Sequence, residues 1–198
     1  MYNTEKQAGF ALLISLLVVG VVISVGLSIL DLSIKQVRLA SNATESEKAF
    51  HAANAGIECA RYWRREQSEN FISGFDLDPA PSCFGNSAPD GNILIDNYTE
   101  TAKISGDGWA YRYRYEYTWG TGEGVRCAKV NMITLLADDV GGGVVLSDMD
   151  DLMPGYSRPI KACRVGGRCT AIAVQGFNVA CARTGDYGVV QREILVEF

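Results

Sequence analysis

The chain has 198 residues, a formal net charge of −5 and a sequence pI near 4.9, with 47% hydrophobic residues and 21% charged ones. That acidic balance argues against a general nucleic-acid footprint, which needs clustered positive charge. A single histidine, His51, leaves little for a histidine-based metal site or a catalytic triad, so the composition points away from an enzyme.

The first nine residues are mainly polar, carry Glu5 and Lys6, and end in Gly9. From Phe10 to Leu30 there are then 21 residues without a charge, 15 of them Phe, Leu, Ile or Val. At ~1.5 Å rise per residue, such a run spans roughly one hydrocarbon thickness as a helix. A helix is required because lipid offers no partner for backbone N–H and C=O groups. The run is too long for the apolar region of a secretory signal, and Asp31, Lys35 and Arg38 follow it with no small-residue cleavage site. Two readings remain at this stage: a plain signal anchor, or a segment cut between Gly9 and Phe10 whose helix stays on the mature chain.

The Gly9-Phe10 junction with Ala-Leu-Leu-Ile-Ser-Leu-Leu-Val behind it resembles the class III leader of type IV pilins and type II secretion pseudopilins. Downstream, Ala49-Phe-His-Ala-Ala-Asn-Ala-Gly-Ile57 is similar to a block found in PilX-like minor pilins and in tip pseudopilins. The resemblance covers residues 6–60. It implies a leader at 1–9, removal by a prepilin peptidase that also N-methylates Phe10, and a long helix at 10–66 whose first part, 10–30, is membrane-embedded. It also implies an extracytoplasmic head at 67–198, and an assembly surface along Phe10, Ile14 and Leu30. In major pilins the fifth mature residue is a glutamate thought to neutralise a neighbouring subunit's amine; here it is Ile14. A lone carboxylate in the bilayer costs roughly 2.5–3.5 kcal/mol, so a subunit with no amine above it has no use for one. The expectation is a subunit that caps, primes or decorates a filament, with other pilin subunits, the peptidase and the inner membrane as partners. A tip pseudopilin of type II secretion is the alternative, and a membrane-anchored binding domain that never polymerises is the alternative from another class.

The helical period continues through Leu30, Ile34 and Val37, then Phe50, Ala53, Ile57 and Ala60, which fall near one face. Gly56 is placed where helix meets head. Residues 67–108, with Pro79, Pro81, Pro89 and several glycines, read as a connecting loop with at most short elements. Trp109–Trp119 alternates without a break: Trp or Tyr at every odd position and Ala, Arg, Arg, Glu, Thr at the even ones. That is a strand whose aromatic row packs against the helix, a surface-binding stripe being the other use of such a row. Gly120–Gly124 reads as a hairpin turn, 125–136 as a second strand, 138–159 as a Gly- and Asp-rich excursion, and 169–177 and 189–198 as further strands. A long helix followed by antiparallel strands over 109–198 gives an α+β fold, which agrees with the pilin fold.

All six cysteines (Cys59, Cys83, Cys127, Cys163, Cys169 and Cys181) follow the apolar run. An even count on one side, with no C-x-x-C pair, reads as three disulfides in an oxidising compartment and not as a zinc site. Fifteen pairings are open to six cysteines. A bridge from Cys59 to Cys83 and one pinning Cys181 to the sheet are both compatible with the pattern. The run Ser147–Asp151, with Asp148, Asp150 and Asp151, could hold calcium or be a solvated acidic loop; it does not fit the EF-hand pattern, and no cofactor is expected. Arg61, Arg64, Arg65, Arg112 and Arg114 are expected to pair with Glu58, Glu66, Glu69 and Glu116.

Overall fold

The computed structural model describes residues 5–87, 93–99 and 101–198, with the side chains of 5–9, 87 and 123 outside that description. Helix α1 runs over Glu5–Glu66. The chain divides into two units, one ending at Thr44 and one from Glu45 to Phe198. In the first, every described side chain from Phe10 to Thr44 is exposed. This stretch is long and apolar enough to cross a membrane.

The second unit begins with the last turns of α1 and continues into a short helix α2 (Ser68–Ser73). A two-stranded ribbon of β1 (Ser82–Cys83) and β2 (Asn86–Ser87) follows. Next come β3 (Leu94–Asn97), β4 (Ile104–Gly106), β5 (Gly108–Trp119), β6 (Arg126–Ala137) and β7 (Val144–Leu146). Helix α3 (Met149–Leu152) precedes β8 (Lys161–Cys163), β9 (Arg168–Phe177) and β10 (Gln191–Glu197). The main sheet is antiparallel, in the order β10-β9-β6-β5-β3, and a second sheet has the order β4-β7-β8. This is the expected α+β fold, a long N-terminal helix on an antiparallel sheet in a pilin-like arrangement.

Period-two alternation decides what each face of the main sheet does. On one face Tyr113, Tyr115 and Tyr117 of β5 lie beside Met132, Val130 and Ala128 of β6, with Ile172 and Val174 of β9 beyond. Ile57 and Ala60 of α1 and Phe71 of α2 close over them. The middle of the aromatic row, Tyr113, Tyr115 and Tyr117, is therefore core, as its spacing predicts, while Trp109 at one end is exposed. On the other face, Ala110, Ile133, Leu135 and Ala171 pack under Val144 and Leu146 of the small sheet and Met149 and Leu152 of α3. The head thus has three layers, and two strands of the second sheet, β4 and β7, come from segments read as loop and excursion.

The stretch 67–108 holds only short elements, as expected, among them α2 and the edge strand β3, which brings the main sheet to five strands. Pro89 and Gly91 lie outside the described residues. Two expectations need correction. Phe50 does not share the packing face of α1; it is 50% exposed, while Ala49, Ala52, Ala53, Ile57 and Ala60 are buried. The cause is close approach. A β-carbon on Gly56 would come within 2.7 Å of both Ala128 Cβ and Val174 Cγ1. A surface that close accepts Ala and Gly and turns a phenylalanine outward. Finally, the arginines pair less locally than expected, as the next subsection shows.

Candidate functional site

The segment singled out for assembly is built by α1. Phe10, Ile14 and Leu30 are all exposed on it, Ile14 at 45%, together with every Leu, Ile and Val between them. Ser15, Ser24 and Ser28 turn their hydroxyls back onto carbonyls three or four residues earlier, so the polar groups in the run are satisfied inside the helix. What remains outward is apolar surface, far beyond the few hundred Å² that a soluble monomer leaves uncovered. The Gly9–Phe10 junction falls within the helical backbone; residues 1–4 of the leader lie outside the described residues.

In the block Ala49–Ile57 the small residues pack on the sheet while Phe50, His51 and Asn54 are exposed. His51 Nε2 lies 3.5 Å from Glu47 on the same helix face, an ordinary surface contact with no nucleophile involved. The end of α1 is fastened to the head by polar contacts. Arg64 Nε donates to Thr170 Oγ1 at 3.0 Å, and burial lowers the guanidinium's pKa. Asn178 Nδ2 donates to Glu45 Oε2 at 2.7 Å; the hydrogen bond from Lys48, and then this one, hold the Glu45 carboxyl below the usual range.

Three disulfides are present: Cys59–Cys83, Cys127–Cys181 and Cys163–Cys169. The first ties α1 to β1. The second pins the segment after β9 to the start of β6, and the third closes the turn between β8 and β9. Both pairings considered compatible with the sequence are among them.

The acidic run has a structural explanation. Asp148 precedes α3 and lies 3.3 Å from Lys103 Nζ, while Met149 and Leu152 bury their side chains. Asp150 and Asp151 occupy the first turn of that helix. Among the described residues, no three His, Cys, Asp or Glu side chains are gathered closely enough to hold a metal ion.

Of the arginine pairs, Arg61–Glu58 forms as expected at 3.5 Å. The others do not. Arg114 and Arg112 both turn to Asp96 on β3, at 3.0 and 3.9 Å, Glu69 pairs with Arg168, and Glu116 with Lys129. Because β3 was not legible in the sequence, neither was Asp96. Of these charges, Arg112, Arg114, Glu116 and Lys129 sit on the part of the main sheet's second face that the small sheet leaves uncovered. These four line a cleft of about 450 Å³ there with Leu94, Asn131, Pro154 and Glu193. The one advance signal was the polar parity of Trp109–Trp119.

No family model, no curated protein and no solved structure matches this chain. The reading of its role rests on the residues themselves.

Proposed function

We propose that the chain is a minor subunit of a type IV pilus, one that primes, caps or decorates the filament and has no catalytic role. It inserts once in the inner membrane through Phe10–Leu30 and is cut and N-methylated at Gly9–Phe10 by a prepilin peptidase. In the assembled fibre that helix packs with those of sister subunits, and the head lies outside the cytoplasm. Neither a cofactor nor a metal takes part.

One observation carries this reading: an apolar helical surface from Phe10 onward on which every side chain is exposed, joined to a head stapled by three disulfides. Such a surface is stable only against lipid or other apolar helices. Three disulfides fit an oxidising compartment. The hydrocarbon side chain of Ile14 fits a subunit with no neighbour's amine to neutralise.

Mass analysis of the mature N-terminus tests the processing step. N-methyl-Phe10 is expected; a product beginning at Met1 supports the non-polymerising anchored domain instead. Quantifying the chain in sheared fibres tests the position. A few copies per fibre are expected, and thousands would make it a shaft subunit. Co-purification with a secretion complex and not with pili would favour a tip pseudopilin, which shares all of this physics.

A further inference from the structure

The cleft on the second face of the main sheet has an uneven charge layout. At its β5 end two guanidiniums, Arg112 and Arg114, share the single carboxylate of Asp96. Arg112 is only 15% exposed, and its Nε is fixed by Asn131 Oδ1 at 2.9 Å. Arg114 Nε is buried with no hydrogen-bond partner among the described residues. Two cations on one anion leave positive charge in excess, held on a rigid strand. At the β10 end stands the exposed carboxylate of Glu193, whose partner is the neutral amide of Gln175 at 3.1 Å. Between the two ends, Lys129 and Glu116 neutralise each other at 3.7 Å, and Ala173 supplies an apolar floor.

Positive charge at one end and negative at the other match a ligand with a carboxylate and an ammonium. From β5 to β10 there are three strand steps, or about 14 Å at ~4.8 Å each. A tripeptide is roughly 10 Å long when extended. The long side chains of Arg114 and Glu193, both lining the cleft, cover the remainder. The Leu94 and Pro154 walls suit small apolar side chains. We infer that this cleft binds a short peptide with free ends, its carboxylate on the Arg112–Arg114 pair and its ammonium on Glu193. This site is independent of the filament role, since all of its residues belong to the head.

The test is a titration of the isotope-labelled full chain in detergent micelles with three probes: trialanine, trialanine amide and N-acetyl-trialanine. Trialanine is expected to shift the amide signals around Arg114 and Ala173 and to saturate by ~10 mM, as suits so small a ligand. Amidation and acetylation are each expected to weaken binding by about tenfold, because each removes one charge-assisted contact. In Arg114→Gln the free acid and the amide should bind alike, and in Glu193→Gln the free amine and its acetyl form should. Thermal midpoints of both variants are recorded. Should Arg114→Gln fail to fold, the exposed Glu193→Gln and the wild-type probe series still decide. No shifts at 10 mM, equal binding of the three probes, or shifts mapping away from the cleft would overturn the inference.

Discussion

Gly176 of β9 lies directly beneath Ala53 of α1, with no room for a side chain between them: a β-carbon there would run into the Ala53 backbone and the Ala49 carbonyl. Helix and sheet meet backbone to side-chain floor at this point, which is why Ala49 and Ala53 are both fully buried. Gly176→Ala is expected to destabilise the head by about 2 kcal/mol or more, since overpacking a close-packed core costs about 1–3 and here the obstacle is main chain. Gly56→Ala meets only side chains, Ala128 and Val174, and is expected to cost less. Denaturant midpoints of the two variants, read by tryptophan fluorescence, check the order. Equal midpoints would mean that the helix can lift off β9 freely.

The tyrosine row separates packing from hydrogen bonding. Tyr113 donates its hydroxyl to the Asn70 carbonyl at 2.7 Å, whereas the hydroxyls of Tyr115 and Tyr117 are buried with no partner among the described residues. Burial pushes all three phenols up, and for Tyr115 and Tyr117 no hydrogen bond works against it. Removing a satisfied hydroxyl costs about 1 kcal/mol, while removing an unsatisfied buried one relieves a desolvation penalty of about 1–3. Tyr113→Phe is therefore expected to lower the thermal midpoint, and Tyr115→Phe to leave it unchanged or raise it. A loss in Tyr115→Phe equal to that in Tyr113→Phe would disprove the assignment.

Bridges of different span should contribute differently. Cys127–Cys181 closes a separation of 54 residues and Cys163–Cys169 one of 6. Loop-closure entropy gives about 4 kcal/mol for the first and about 2 for the second. Replacing Cys127 and Cys181 together by alanine should thus destabilise the head by about twice as much as replacing Cys163 and Cys169. Paired denaturant curves under non-reducing conditions measure this directly, and a reversed order would show that native packing, not chain entropy, dominates.

The strong periods were the readable part of this chain. The alternation of Trp109–Trp119 fixed which residues of β5 enter the core, and the charge-free run fixed where α1 is apolar. Short elements were harder. Leu94–Asn97 is a four-residue edge strand between Gly/Pro-rich stretches, too brief for a period to show, and with it went Asp96 and the cleft. Helical spacing counts Phe50 as core because it is large and apolar, whereas the turns of α1 around Ala49, Ala53 and Gly56 lie so close to β6 and β9 that small residues pack there. Nothing in the predicted strand 169–177 sets Gly176 apart, since what it must avoid, the Ala49–Ala53 main chain, is distant in sequence.

Acid should weaken one identifiable contact in a definite pH window. Burial alone would raise the Glu197 carboxyl, but hydrogen bonds from Tyr156, Lys161 and Arg158 outweigh it and hold the pKa at about 2, below the ordinary 4.5. Lys161 Nζ is 2.9 Å away and Arg158 Nη2 2.8 Å. Because the folded value is depressed, the carboxylate's contribution is complete above about pH 4.5 and is lost as pH falls towards 2. Arg158 is exposed, so solvent screening keeps its share of the effect small. Glu197→Gln should lower the thermal midpoint at neutral pH and converge with the wild type near pH 2. If the gap between the two proteins stayed constant across that range, the ion cluster would contribute nothing that depends on charge.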